Sequence, residues 1–380
     1  MQERCYDSYK TGFRNYSEML CYHEEQSRNS KWVRCSVNNL SVQPLDRKSP
    51  YYDSLDSFAG DVSQEAVCDT ADHLGLALMV NGELYPGRET AYKSLLDRAK
   101  IGGSALPKLK RDMLSYMLNA CLNLSSSEAL VLIRDQKVAA VHSGDATDYS
   151  VLPIDELLKI LYQKLNARFP GAEFVEGYSD HSITSALWKM PDQKEELLGA
   201  YAKILAAQGK ASLSGKLVPG VRFITSDTGV ASAKVSALLL GYACPIHIGG
   251  CIAIDHRHNA KVEDFEVALD QLFAQFGDSI KKLQGLLDIY LNYPVNTMTR
   301  ICKKLALPKK AAVEAIAMFE NTYGGGVATA HDVFIAMQEI LFTLKSEKTP
   351  ESKMIAVEEN MARALSLRWE DYDFAKKVDY

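Results

Sequence analysis

VRFITSDTGVASAKVSALLLGYACPIHIGGCIAIDHRHN, residues 221–259, holds the densest apolar run of the chain and its tightest group of cysteines and histidines. Val221, Phe223 and Thr225 alternate with Arg222, Ile224 and Ser226, the two-residue period of a β-strand with two differently solvated faces. Asp227-Thr-Gly229 reads as a turn. From Val235 to Ile254 no Asp, Glu, Lys or Arg appears, a length that raises the question of a membrane span. Pro245, His247, Gly249 and Gly250 interrupt the run and would each need special accommodation in lipid. Two buried strands, over 235–243 and 250–255, are expected instead.

Cys244, His247, Cys251, His256 and His258 fall within fifteen residues. Thiolate and imidazole are zinc ligand types, and Cys-x2-His is a usable half-site. The second half, Cys-x4-His-x-His, follows no standard finger, and strand alternation would set Cys251 opposite His256 and His258. The expectation is therefore no metal, with Cys244, His247, His256 and His258 kept as an alternative metal set. The competing structural role is a small apolar thiol beside histidines at a strand end.

Outward from this stretch, the whole chain of 380 residues carries 47% hydrophobic and 24% charged residues, a globular composition long enough for a large core. A net charge of −5 excludes a surface coated with basic residues, so any nucleic-acid contact must come from a local patch. Eight scattered cysteines lack the density of a disulfide scaffold, and the start MQERCYDSYKTGFRNY has no apolar signal core. A cytoplasmic protein with no membrane partner is expected.

Towards the N-terminus, residues 1–70 are rich in Tyr, Ser, Asn and Asp and read as an irregular arm, with one strand available over 32–37. Its tyrosines, among them Tyr6, Tyr16 and Tyr22, could stack on bases or dock onto a neighbour, and anchoring the arm is the commoner use. An α+β core follows over 71–261. Within it, RAKIGGSALPKLKR at 98–111 holds five basic residues and no acid. Arg98, Lys100, Lys108, Lys110 and Arg111 are the first candidates for phosphate contact. The Gly-Gly pair lacks the Gly-Lys-Ser/Thr ending of a phosphate-binding P-loop, and a solvated basic loop is the competing reading.

Strands over 128–133 and 137–143 flank Arg134-Asp-Gln136 as a β-hairpin, which adds Arg134 and Lys137 to the basic candidates. Ile154, Leu157, Leu158, Leu161 and Leu165 form a helical stripe, and 173–188 reads as a second hairpin turning near His181. A helix is expected over 194–208. His142 and His181 are histidines at hydroxyl-rich strand edges, more often structural than functional. From Val262 the spacing turns helical: Val262, Phe265, Leu269, Leu272 and Phe276, with Pro294 and Pro308 starting shorter helices. The pair over 297–305 and 309–319 lacks a glycine turn and carries Glu314 and Glu320, so it reads as packing rather than a helix-turn-helix. Tyr323 to Gly326 forms a break, and 262–380 is expected to be mostly helical.

The order VRFITSDTGVASAKV, a strand reaching Cys244, Ile254-Asp-His256-Arg-His258 before a long helix, then GGGVATAHDVFIAMQEIL, resembles the phage/plasmid-like family known as domain of unknown function 932, over residues 98–345. The family's Ser-x-x-Gly is matched by Ser226 and Gly229, and its histidine after the next strand by His256 or His258. Its Cys-Thr-Asn is Cys244-Pro-Ile here, which weakens transfer of a polar site. The resemblance implies a gene of phages, plasmids or integrated elements and brings no activity with it.

The fold expectation is α+β: a mixed or antiparallel sheet core with β-hairpins and a mostly helical C-terminal part. The chain has no Ser-His-Asp order, HExxH, paired-carboxylate motif or dinucleotide fingerprint, so no cofactor is expected. The functional expectation is a non-enzymatic mobile-element protein that binds or anneals single-stranded DNA, with self-association included. One alternative is a protein-interaction factor, such as an inhibitor of a host defence system. The other is a hydrolase using a metal-activated water, or Cys244 as nucleophile with His256 as base.

Overall fold

A computed structural model describes residues 2–125, 127–324 and 326–380. Gly325, inside the expected break at 323–326, lies outside the described residues. The architecture is α+β, with antiparallel sheets and a helical C-terminal part.

The first 70 residues are not an irregular arm. They form β1 (Lys10–Phe13), α1 (Tyr16–Asn29), β2 (Lys31–Cys35) and β3 (Leu40–Pro44), and α2 (Gln64–Asp72) begins within them. Each of these strands finds its partner far along the chain: Lys10 opposite Asp180, Trp32 opposite Leu132, Leu40 opposite Val80. Short strands that lean on distant partners leave little local periodicity, which explains the misreading. Tyr16 and Tyr22 pack internally, the Tyr16 ring stacked 4.1 Å from Tyr162 and Tyr22 5.1 Å from Phe13, whereas Tyr6 is exposed.

Next come β4 (Leu76–Val80), β5 (Glu83–Pro86), α3 (Glu89–Ala99), α4 (Arg111–Leu122), β6 (Ala129–Arg134) and β7 (Lys137–Ser143). These elements build two three-stranded sheets, β3-β4-β5 and β2-β6-β7, around one hydrophobic core that includes Val42, Leu78, Leu95, Leu118 and Val131. Asp135 and Gln136, at φ 49° and 70°, make the tight turn between β6 and β7.

A second core is organised by α5 (Ile154–Arg168), β8 (Glu173–Asp180), β9 (Thr184–Lys189), α6 (Lys194–Ala207), α7 (Ala211–Gly215), β10 (Val218–Thr225), β11 (Ala233–Leu240) and β12 (Ile246–Ile254). The sheet order is β1-β8-β9-β10-β11-β12, antiparallel throughout. The stretch 221–259 thus supplies most of its last three strands. Gly249 and Gly250, at φ 78° and 67°, lie in β12 where the β11 register shifts between Ser236 and Leu238, so the glycine pair is a bulge rather than a strand end.

The C-terminal part holds α8 (Val262–Gly285), β13 (Tyr290–Leu291), α9 (Pro294–Lys304), α10 (Lys309–Tyr323), β14 (Ala328–Thr329), α11 (Ala330–Met337), α12 (Glu339–Ser346) and α13 (Glu351–Ala362). Helix α8 lays Phe265, Leu269, Leu272 and Phe276 into the core, with Phe265 5.7 Å from the β10 residue Phe223. The other face of β10 was expected to be more solvated. Helix α13 covers it instead, and Arg222 there forms a buried ion pair with Glu358. Among the described residues no helix is long and apolar enough to cross a membrane.

Candidate anion-binding cleft

Where the two cores meet, a cleft of about 420 Å³ opens between α3, the end of β7, the β10–β11 turn and the segment after β12. Helix α3 is amphipathic across this boundary. Ser94 and Arg98 face inward, while Lys93, Asp97 and the left-handed cap residue Lys100 face out. Ser94 fixes the helix by accepting from the Val141 amide at 2.9 Å.

The opposite wall is tied together by backbone. His258 N donates to Thr147 O at 2.9 Å, Asn259 N to Ala146 O at 3.0 Å and Ser150 N to His256 O at 2.8 Å. These bonds bring Asp148, Tyr149, His256, Arg257 and His258 to one rim, although the two segments are more than a hundred residues apart. The β10–β11 turn closes the third side. Its Gly229, at φ 75°, presses on His142, whose Cε1 would stand 2.9 Å from an added Cβ.

The floor is a stack of rings. Tyr149 lies 3.5 Å from His142 with planes 3° apart, and 5.6 Å from His256 at 9°. Trp32 flanks Tyr149 at 5.9 Å. Beneath, the Tyr149 hydroxyl donates to the Asp227 carbonyl at 2.6 Å, and the Asp227 carboxylate pairs with Arg134. Burial pushes His142 down to about 3 and lowers His256, so both imidazoles are neutral at physiological pH.

Positive charge therefore comes from Lys93, Arg98, Lys100 and Arg257. Among the described residues none of the four is within 4.0 Å of a carboxylate. Arg98 stands out because it is only 8% exposed. Its Nη2 donates to Ser127 O at 2.6 Å, while its Nε is buried with no partner. Burial holds its guanidinium below the ordinary value. Asp97, Asp148 and Asp255 also line the cleft.

The seven basic residues singled out from sequence separate in the fold. Arg98 and Lys100 meet at the cleft, and Lys108 and Lys110 are exposed on the following loop. Arg111 lies half-buried beside Gly75. Arg134 and Lys137, by contrast, are buried in ion pairs and are not presented to a phosphate. Arg134 is buried against Asp227 and donates to Ser30 Oγ at 2.7 Å, and Lys137 is buried between Asp69 and Asp7. A one-dimensional charge run cannot register such partners, which come from remote turns and helices.

The alternative metal set does not converge. Among the described residues, Cys244, His247, His256 and His258 form no group of three donors within 4.8 Å. The bulge separates them: His247 accepts from Gly249 N at 3.1 Å beneath Arg222 and Lys234, and His256 joins the cleft floor. Burial pushes the Cys244 thiol up, opposite to what a thiolate nucleophile needs. Asp7, Asp69 and His73 do approach one another, but Lys137 and Arg88 already neutralise the two carboxylates. His181 is a buried structural histidine facing Tyr6 O at 2.9 Å.

Lys93, Tyr149 and Arg257 were not singled out from sequence. Arg257 sat in view inside Asp-His-Arg-His, where the flanking histidines drew the chemistry. Lys93 carries no signal beyond its helical spacing from Asp97. No family model, curated protein or solved structure matches the chain.

Proposed function

We propose that the chain binds single-stranded nucleic acid without catalysing a reaction, holding phosphate at the interlobe cleft. The observation that supports this reading is Arg98. A buried guanidinium with no carboxylate within 4.0 Å, and with Asp148 acting on it only at longer range, carries a desolvation cost that an incoming anion offsets. With Lys93, Lys100 and Arg257 around it and Asp97, Asp148 and Asp255 among them, the lining keeps an excess of one positive charge on a chain whose net charge is −5. Lys108 and Lys110 on the adjoining loop supply further contacts to the backbone of a strand. The phage or plasmid setting implied by the sequence resemblance belongs to this proposal as context and carries none of its weight.

Fluorescence anisotropy with a labelled oligothymidylate tests it. Binding is expected at low salt and falls as salt rises. Each phosphate contact contributes about −0.7 to the log–log slope, so one phosphate held in the cleft and two met by Lys108 and Lys110 give a slope near −2. Lys108→Gln and Lys110→Gln should each flatten it by about 0.7, whereas Lys100→Gln and Arg257→Gln should weaken binding at every salt concentration. No binding at low salt overturns the proposal.

A protein-facing role, self-association included, is favoured by a separate observation. Met113, Tyr116 and Leu124, on α4 and the turn after it, are 51%, 71% and 85% exposed. Such a stripe of large apolar side chains in water suits a partner surface. Light scattering of wild type and Tyr116→Asp reads it, with an oligomer that dissociates in the variant as the expected result and a monomer in both as the contrary one.

A further inference from the structure

The cleft has the dimensions of a terminus rather than a track. Its volume of about 420 Å³ is that of a site for one small ligand. Strand-tracking sites follow roughly 4–16 nucleotides along a groove. Here the ring stack of His142, Tyr149 and His256 closes the floor, and the Gly229 turn closes one side. The charge pattern points the same way. Asp97, Asp148 and Asp255 stand among the four cations, so consecutive phosphates would meet carboxylates. A single phosphate can lie against the cations and leave those carboxylates as acceptors for sugar hydroxyls and base amino groups.

His256 fits this division. Its Nδ1 faces the Ser150 carbonyl at 3.2 Å, which assigns the proton there and makes Nε2 a bare acceptor. That Nε2 is buried without a partner, as are the Nε of Arg98 and the Nε2 of His142 among the lining side chains.

We infer that the cleft is a pocket for one nucleoside phosphate, either the phosphorylated end of a nucleic-acid strand or a free mononucleotide. The strand-end form rests on the nucleic-acid reading above, whereas the mononucleotide form stands apart from it.

The test uses the full chain and matched oligothymidylates: 5′-phosphorylated, 3′-phosphorylated, hydroxyl-ended and circular. Thymidine monophosphate, thymidine and inorganic phosphate are titrated separately by calorimetry. A strand-end pocket favours one phosphorylated oligonucleotide over the hydroxyl-ended one by about tenfold. Lys93→Gln and Arg257→Gln, both at exposed positions, should bring that ratio within about twofold with an unchanged melting temperature. Thymidine monophosphate should bind where thymidine does not, and more tightly than inorganic phosphate. Equal binding of all four oligonucleotides, with no thymidine monophosphate binding, overturns the inference and leaves the strand reading standing. Thymidine monophosphate binding without any oligonucleotide binding supports the pocket and removes the strand reading. Binding of inorganic phosphate as tight as the mononucleotide overturns the nucleoside part of the inference.

Discussion

Asp227 ties the two cores together. Its carboxylate faces Arg134 with side chains 13% and 9% exposed, and its carbonyl holds the Tyr149 hydroxyl under the cleft floor. Burial alone would raise the Asp227 carboxyl, and the Arg134 guanidinium more than offsets this, holding it below the usual range. Asp227→Ala strands a buried guanidinium and should cost about 3–5 kcal/mol in urea denaturation. The double variant Arg134→Met/Asp227→Leu removes both charges and should recover most of that loss. Additive losses in the cycle would show that the pair is not coupled. Tyr149→Phe, which removes one buried donor, should cost about 1 kcal/mol by the same measurement. At this scale the sequence was least legible. Arg134 and Lys137 look like free cations beside a hairpin turn, and only their remote partners, Asp227 on one side and Asp7 with Asp69 on the other, make them structural.

Elements were easier to read where their pattern is local. The stripe Ile154, Leu157, Leu158, Leu161 and Leu165 is buried in α5 as its spacing requires, and both expected hairpins, β6–β7 and β8–β9, pair as such. The alternation of β10 was correct in register and wrong about solvent, because α13, more than a hundred residues later, covers the polar face. The β12 bulge shows the same limit. Gly249 and Gly250 interrupt an apolar run, but their left-handed φ values and the register shift against β11 need the paired strand to be seen. At Gly250 an added Cβ would stand 2.6 Å from Ser279 Oγ of α8. Gly250→Ala should therefore destabilise the chain by at least about 1 kcal/mol, from backbone strain and contact together. Gly277→Ala, with open space around it in the middle of α8, is the control and should be neutral or slightly stabilising. Equal behaviour of the two variants in thermal unfolding would contradict the bulge account.

Across the whole molecule, buried imidazoles set the response to acid. Burial pushes His23, His247 and His331 down to about 4, His142 to about 3 and His181 to about 2, and lowers His256 as well. These side chains are neutral in the folded chain, while the unfolded chain protonates them below about pH 6.5. Stability is therefore fully present above pH 6.5 and is lost as pH falls towards the folded values, at about 1.4 kcal/mol per histidine per pH unit. Glu358 opposes the trend. Burial raises it to about 7 despite Arg222, so its protonation favours the folded chain as pH falls from 7 to 4.5, one group against six. The melting temperature should drop steeply between pH 6.5 and 4.5, and a flat profile there would contradict the burial of these histidines. His142 and His256 of the cleft floor are among these groups, so the cleft shares in the loss.

The most direct test of the cleft is photo-crosslinking of a strand containing 5-iodouridine, placed internally or beside a terminal phosphate, with attachment sites mapped by mass spectrometry. Crosslinks at Tyr149, His142 or the peptides holding Lys100 and Arg257 are the predicted result, concentrated in the terminal probe. Attachment confined to peptides outside the cleft, or none at low salt, would contradict the account.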